Sequence, residues 1–240
     1  VISPEIGTDQ PVQVAAPEDQ IDPSVASDGS QFLVAWSDRS STSDIYGARV
    51  SAAGVVLDPA GIVVSGAPRE QLRPSVASDG AQFFVVWQDT RGNDYDVYGT
   101  RVSAAGMVLD AEGIAVSDAA GSQSYQSVAS DGSQFLVVWT DQLGGTTAIH
   151  GARVSASGEV LDDAGIVMSS APYHAGFASV ASDGTQFLVV LQDHRGLGNY
   201  DVYGTRVSTS GEVLDEERIA VSTAAGSQTS PRVASDGTQF

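Results

Sequence analysis

The sequence predicts an all-β protein, a β-propeller built from four-stranded antiparallel blades of about 50 residues. Three observations lead to this fold: a repeated segment, an Asp-Gly turn in every repeat, and no helical pattern of apolar residues. The segment Ser127–Asp141 recurs three times, and a fifth copy runs from Arg232 to Phe240; the full copies are Ser24–Asp38, Ser75–Asp89 and Ser179–Asp193. The aspartates of successive Asp-Gly turns are 51, 52, 52 and 53 residues apart. Units of this length and content are typical of propeller blades, which bury their faces against neighbouring blades.

Each repeat has the pattern of an antiparallel meander. In the third unit a short extended run ends at Asp131-Gly132, and both residue types tolerate the positive φ that a tight hairpin requires. Phe135–Trp139 follows and is apolar on both faces, which predicts a strand buried on both sides. Ile149–Val154 is the next predicted strand. A Gly-marked turn, a Val-Leu-Asp segment and a short outer strand complete the unit.

We expect one domain over residues 1–240. Its predicted parts are an outer strand within 1–22, repeats at 23–73, 74–125, 126–177 and 178–230, and a partial repeat at 231–240. Val12–Ala15 resembles the outer run Ile62–Ser65, so the N-terminal segment is expected to supply an outer strand. The last residue, Phe240, stands where a central strand begins. We therefore expect a five-bladed ring, closed by the N-terminal strand, if about thirty residues are missing from the fifth unit, and more blades if the natural protein continues.

The composition excludes several classes of partner. The chain has no Cys, its basic residues are all Arg, and its formal charge is −19. This charge argues against nucleic acid and anionic membranes, which both need a basic face. No run of eighteen apolar residues is present, so we expect no membrane insertion. The acidic composition, rich in Ala, Gly, Val and Asp, favours a secreted, periplasmic or cell-surface bacterial protein, and we expect a monomer.

The repeat resembles the TolB-type propeller repeat, a WD-like blade. The residues that carry the resemblance are Pro23, Ser27-Asp28-Gly29, Phe32–Trp36, Ser37-Asp38-Arg39, Asp44-Ile45-Tyr46 and Gly54. The resemblance extends over every unit and implies a propeller fold. The repeat departs from the TolB pattern because it lacks the Pro before Asp-Gly and carries Trp where Phe or Tyr is usual. These departures weaken any transfer of TolB's partner binding.

Residues that occur once per unit are expected to serve the scaffold. The aspartate that ends the central strand and the arginine of the next strand predict a repeated ion-pair or loop-capping network; they are Asp38, Asp89, Asp141 and Asp193, and Arg49, Arg101, Arg153 and Arg206. Trp36, Trp87 and Trp139 predict a core between blades, with a sugar-stacking platform as the alternative. The glycines of the paired strand could let a large ring pack against bare backbone; they are Gly47, Gly99, Gly151 and Gly204.

The loops that vary between units are expected to emerge on one rim of the ring. Variable loops on a rigid scaffold are common binding sites, so their aromatic and histidine residues are the predicted ligand-binding set. The loops hold Tyr95, Tyr125, Tyr173, His174, Phe177, His194 and Tyr200, and all of these except Phe177 form the predicted ligand-binding set.

One loop has the oxygen ligands that calcium prefers, although its spacing differs from an EF-hand loop. The predicted calcium ligands are Asp89, Asn93, Asp94 and Asp96, with ordinary Asx-turn chemistry as the alternative. No other cofactor is expected. The sequence contains no Ser-His-Asp set and no phosphate-binding loop, and we predict no catalytic residue.

The sequence favours a non-catalytic scaffold that binds a protein or a glycan through its variable rim. The alternative is a propeller glycoside hydrolase or lyase whose catalytic acids lie in the funnel of the ring or in missing blades.

Overall fold

The computed structural model describes residues 19–39, 42–169, 174–194 and 198–240. The described strands form four antiparallel sheets of four strands, each a meander in chain order. The first sheet contains β1 (Gln20–Ser27), β2 (Gln31–Arg39), β3 (Ser43–Ser51) and β4 (Ile62–Ser65), and the second β5 (Gln71–Ser78), β6 (Gln82–Asp89), β7 (Asp96–Ser103) and β8 (Ile114–Ser117). The third contains β9 (Ser122–Ser130), β10 (Gln134–Leu143), β11 (Thr146–Ser155) and β12 (Ile166–Val167), and the fourth β13 (His174–Ser182), β14 (Gln186–His194), β15 (Asp201–Ser208) and β16 (Ile219–Ser222). The predicted all-β propeller of four-stranded blades is confirmed.

The inner strand of each blade is longer than the sequence pattern indicated. These strands begin at Gln20, Gln71, Ser122 and His174, so the predicted unit boundaries at 23, 74, 126 and 178 fall inside them. The predicted strand at Val12–Ala15 lies outside the described residues. The start of the fifth repeat packs on the fourth blade, where the backbone N–H of Val233 donates to Ser179 Oγ at 3.3 Å. Within the described ranges, no helix is long and apolar enough to cross a membrane.

The Asp-Gly turns form because the aspartate caps its own hairpin. Asp183 Oδ1 accepts hydrogen bonds from the backbone N–H and the hydroxyl of Thr185 and from the N–H of Gln186. These bonds, led by the Thr185 hydroxyl, lower the pKa of Asp183 to about 2. Positive φ is confined to the glycine, Gly184 at 88°, and the aspartate does not share it. The turn therefore needs Asp for its carboxylate and Gly for its backbone.

The core lies between the blades. Phe84 of the second blade packs on Phe135 of the third, with ring centroids 5.1 Å apart. The tryptophans are buried, with exposures of 7% for Trp36, 1% for Trp87 and 2% for Trp139. Trp87 and Trp139 belong to apolar clusters that join two blades, so the core interpretation is confirmed for these two.

The glycines of the third strand leave room for a different side chain from the one expected. Gly99 pairs with Val86, while Trp87 pairs with Tyr98. A Cβ added to Gly99 would lie 2.7 Å from Phe84 Cζ. The prediction that a large ring packs against the bare backbone of these glycines is correct at Gly99. The ring, however, is that of Phe84 and not that of Trp87. Side chains alternate between the two faces of a strand, so Phe84 and Val86 share a face that Trp87 does not.

The repeated arginines form ion pairs, but with a different aspartate. Each binds the Asp of the Val-Leu-Asp segment nine residues later, with N–O distances of 2.7 to 2.8 Å; the pairs are Arg49–Asp58, Arg101–Asp110, Arg153–Asp162 and Arg206–Asp215. The expected pairing with the strand-end Asp38 is wrong. In the register of the first blade, Asp38 lies opposite Asp44, five residues or about 16 Å along β3 from Arg49.

Regular hydrogen bonds fix the step from one blade to the next. The Nε2 of Gln31 donates to the carbonyl of Ala104 in the second blade, at 2.7 Å. The Nη1 of Arg49 donates to the same carbonyl at 2.8 Å. Near the axis, Ser24 Oγ accepts the N–H of Val76 at 3.2 Å. Because most of these contacts recur in later blades, each inner strand reaches the axis in an equivalent position.

Candidate functional site in the central channel

The inner strands β1, β5, β9 and β13 and the start of the fifth repeat surround a central cavity of about 570 Å³. A cavity of this size is within the usual range for small-ligand sites. Its lining residues are Asp22–Val25, Arg73–Ser75, Tyr125–Ser127, Phe177–Ser179, Arg232 and Val233. We call this cavity the central channel.

Each inner strand has a bulge at the same place in the repeat. The pairing register shifts there in all four blades. The bulged residue has a left-handed backbone, with φ between 52° and 55°; the five residues are Asp22, Arg73, Tyr125, Phe177 and Ser230, which we call the bulge ring. Non-glycine residues rarely adopt this conformation, and it persists only where the surroundings enforce it.

Side chains of the preceding blade hold three of the five bulge residues in place. The N–H of Arg73 donates to Ser37 Oγ at 3.0 Å, and the N–H of Phe177 donates to Thr140 Oγ1 at 3.2 Å. The N–H of Ser230 donates to Gln192 Oε1 at 2.9 Å. At these three positions the scaffold itself holds the left-handed backbone.

The bulge ring carries a different residue in every unit. Two positions further along, four units have the same residue, at Ser24, Ser75, Ser127 and Ser179. A constant backbone thus presents Asp, Arg, Tyr, Phe and Ser at equivalent points around the channel. Variation at strained positions of a regular scaffold is the pattern expected of a binding site.

Three members of the bulge ring stack across consecutive blades. The guanidinium carbon of Arg73 lies 4.4 Å from the centroid of the Tyr125 ring. The Tyr125 and Phe177 centroids are 4.2 Å apart, with a tilt of 42°. We call Arg73, Tyr125 and Phe177 the stacked row. Cation–π and aromatic contacts of this kind hold the side chains in fixed positions along the channel wall.

Gln126 lines the same part of the channel and has a buried acceptor without a partner. Its Nε2 donates to the carbonyl of Arg73. Its Oε1 has no hydrogen-bond partner among the described residues, and the residue is 7% exposed. The other units carry Pro or Ala here, at Pro23, Pro74, Ala178 and Pro231. A buried acceptor without a partner is costly, so a ligand hydroxyl would gain by donating to this atom once the Gln126 side chain turns its oxygen toward the channel.

No family model matches the sequence, and no curated protein matches it. Solved structures do share its architecture. An α-L-arabinofuranosidase from Lactobacillus brevis has a TM-score of 0.54 and 11% identity over 85% of this chain and 73% of that one. A thermostable family-43 glycoside hydrolase has a TM-score of 0.55 and 10% identity over 87% and 74%. A subtype N11 neuraminidase-like protein of A/flat-faced bat/Peru/033/2010 (H18N11) has a TM-score of 0.56 and 12% identity, over 85% of this chain and 52% of that one.

The feature shared with these structures is the propeller fold. They also correct the family resemblance drawn from the repeat pattern, because the similar structures are propellers of glycoside hydrolases and neuraminidase-like proteins, not TolB-type repeats. The pattern misled because Asp-Gly turns and an apolar central strand are what a four-stranded blade requires. Such residues report the architecture of the blade and not its ancestry.

The residues predicted to lie together on one rim are found at different places in the structure. Tyr125 lines the central channel. His194 and Tyr200 contact each other edge to face at 5.2 Å, on the ends of the β14 and β15 hairpin. Tyr95 offers its carbonyl to the N–H of Gln123, and His174 is exposed opposite His194. Tyr173 lies outside the described residues.

The charged and amide side chains of the channel were absent from the predicted ligand-binding set; they are Asp22, Arg73, Gln126 and Arg232. A usable signal was present in the sequence. When the repeats are aligned on Val-Ala-Ser-Asp-Gly, the column three residues before the valine differs in all five copies.

The predicted calcium loop is built around an ion pair. Asp89 is fully buried, and its Oδ2 accepts hydrogen bonds from Trp87 Nε1 and Arg91 Nη2, each at 2.8 Å. Its Oδ1 accepts the N–H of Arg91 at 2.8 Å. Among the described residues, no three acidic, histidine or cysteine side chains are grouped closely enough to hold a metal. Calcium binding stays a prediction, and the ion would compete with Arg91 for Asp89.

Asp96, in the same loop, should make stability depend on pH. Burial, with the charges of Asp118, Asp89 and Asp94, raises the pKa of Asp96 from 3.8 to about 6. A folded-state pKa above the unfolded value means that the ionised form destabilises the fold above pH 6, and that this penalty disappears as pH falls from 6 to 4. We expect Asp96→Asn to raise the melting temperature clearly at pH 7.5 and little at pH 4.5.

Thermal melts at the two pH values check this expectation, with Asp163→Asn, at an exposed site in the third unit, as the control. An equal gain for Asp96→Asn at both pH values would contradict it.

Proposed function

We propose that this protein recognises a carbohydrate in its central channel. The observation that carries the proposal is the stacked row beside the unsatisfied Oε1 of Gln126. Sugar rings present apolar C–H faces and a rim of hydroxyls. Aromatic rings suit the faces, while an amide oxygen, a guanidinium and a carboxylate suit the hydroxyls. The channel supplies all of these groups within one cavity.

The solved structures of similar fold support this ligand class. Two of them are described as an α-L-arabinofuranosidase and a family-43 glycoside hydrolase, both enzymes of carbohydrate chemistry. Their identity to this chain is about a tenth, so their particular substrates are not carried over.

Calorimetric titration with neutral arabino- and xylo-oligosaccharides tests the proposal. We expect Tyr125→Asn to weaken binding about tenfold, because it removes the middle ring of the stacked row. Asn tolerates the left-handed backbone, so the bulge is kept. Tyr200→Asn, on the rim outside the channel lining, is the matched control and should bind normally. Equal losses in the two variants, or no binding of any oligosaccharide, would refute carbohydrate recognition in the channel.

Hydrolysis is a second candidate function, favoured by the glycoside hydrolase fold neighbours. Glycoside hydrolysis generally uses two carboxyl groups about 5 to 9 Å apart. In the described part of the channel lining, Asp22 is the one acidic side chain. A hydrolase would therefore need a second acid from residues outside that lining. Release of nitrophenol from aryl arabinosides and xylosides that is lost in Asp22→Asn would support hydrolysis over binding alone.

A further inference from the structure

The central channel is positively charged within a strongly acidic protein. The chain carries a formal charge of −19 and has 11 basic residues. Two of these, Arg73 and Arg232, line the channel together with one acid, Asp22. The described lining therefore has an excess of one positive charge. A positively charged cavity in a negatively charged protein concentrates anions.

The two channel arginines differ from most of the others in having no carboxylate partner in the described structure. Six arginines elsewhere form ion pairs with aspartates; they are Arg49, Arg91, Arg101, Arg153, Arg206 and Arg218. Arg73 instead lies over Tyr125, and the Nη1 of Arg232 donates to its neighbour's carbonyl, that of Pro231, at 3.1 Å. Both are exposed. Their guanidinium groups keep most of their donors for another partner.

Arg232 also replaces a residue with a repeated scaffold role. The equivalent serines tie each inner strand to the next, as Ser179 Oγ does by accepting the N–H of Val233. The same bond joins Ser24 to Val76, Ser75 to Val128 and Ser127 to Val180. In the fifth unit this hydroxyl is replaced by the guanidinium of Arg232, which lines the channel. The exchange adds a cation to the channel at a position where the other four units carry a neutral hydroxyl.

We infer that the channel selects a carbohydrate bearing a carboxylate, such as a uronic or sialic acid residue, through Arg73 and Arg232. This inference rests on the proposed function and names its substrate class. Guanidinium groups match the planar carboxylate with paired hydrogen bonds. The rings of Tyr125 and Phe177, next to Arg73, then hold the sugar to which the carboxylate is attached.

The experiment measures binding of trisaccharides ending in galacturonic, glucuronic or sialic acid, each beside its methyl ester. The ester keeps the sugar and removes the charge. We expect at least one acid to bind tenfold or more tightly than its ester, since a charge-assisted hydrogen bond exceeds a neutral one by about that factor. Arg73→Asn and Arg232→Ser should abolish this preference. Arg232→Ser introduces the residue of the other four units, and Arg39→Gln removes the same charge from an exposed site outside the lining.

The outcomes separate this inference from the proposed function. Neutral sugars and esters that bind as well as the acids, with loss in Tyr125→Asn, would overturn carboxylate selection and leave carbohydrate binding intact. An equal loss in Arg39→Gln, or tighter binding of sulfated than of carboxylated sugars, would also overturn it by indicating general charge attraction. Absence of binding by acids, esters and neutral oligosaccharides alike would overturn both.

Discussion

Replacing Trp87 with alanine should lower the free energy of unfolding by about 3–5 kcal/mol, the usual cost of truncating a large buried aromatic residue. Trp87 is 1% exposed and belongs to the apolar cluster between the first and second blades, with Leu33 and Val85. Its Nε1 donates to Asp89 Oδ2 at 2.8 Å, so the substitution also removes a hydrogen bond to a buried carboxylate. Both losses act in the same direction.

Urea denaturation followed by circular dichroism measures this effect. Met107→Ala is the control, because Met107 is 61% exposed in the same unit and should change stability by about 0.5 kcal/mol at most. A change of that small size for Trp87→Ala would mean that the indole is not part of the core. The alternative of tryptophan as a sugar platform would then return. Unchanged carbohydrate binding by a folded Trp87→Phe variant would separate this core role from the stacked row.

The repeat makes the fold predictable from sequence. Because the segment recurs every 51 to 53 residues, the structure predicted for one unit applies to the others. Each residue that is constant among the units has the same structural role in each. Asp28 and Gly29 make the turn, and Phe135 and Trp139 fill the space between blades. The period, the turns and the apolar strand agree with one another, which is why the architecture could be read before the structure.

The site is harder to predict for the same reason. Its residues stand where the repeat is broken, at the bulge ring and at Gln126 and Arg232. The bulge itself has no sequence signature, because Asp22, Tyr125 and Phe177 share no backbone preference that marks a left-handed position. Only the register of the inner strands shows that these residues face one channel.

The strand-end aspartates show a second limit of reasoning from a repeat. Asp89 binds Arg91, two residues further along the chain, whereas Asp193 binds Arg218, from the segment before the outer strand. His150 lies 3.8 Å from Asp141, from the paired strand. The aspartate of this column thus meets an arginine or histidine from a different position in each of three blades. An alignment of the units shows the acids in one column and hides their partners.

Replacing Arg91 with alanine should therefore be among the most damaging changes on the rim, at about 3–5 kcal/mol, because it leaves a buried charge without its partner. Arg91 Nη2 binds the fully buried Asp89 at 2.8 Å, and its guanidinium lies 3.9 Å from the Tyr98 ring centroid. Its Nη1 also donates to the carbonyl of Glu112 at 2.7 Å. Urea denaturation measures the loss.

Two further variants separate the buried charge from the loss of packing. The double variant Asp89→Asn with Arg91→Ala should recover part of the stability, since a neutral amide oxygen can still accept from Trp87 Nε1 without a counter-charge. Arg206→Ala is the matched control, because Arg206 is 44% exposed in its pair with Asp215 and water can replace it. A small effect of Arg91→Ala, or a double variant less stable than Arg91→Ala alone, would show that Asp89 does not depend on Arg91. Such a result would also remove the competition that stands against calcium in this loop.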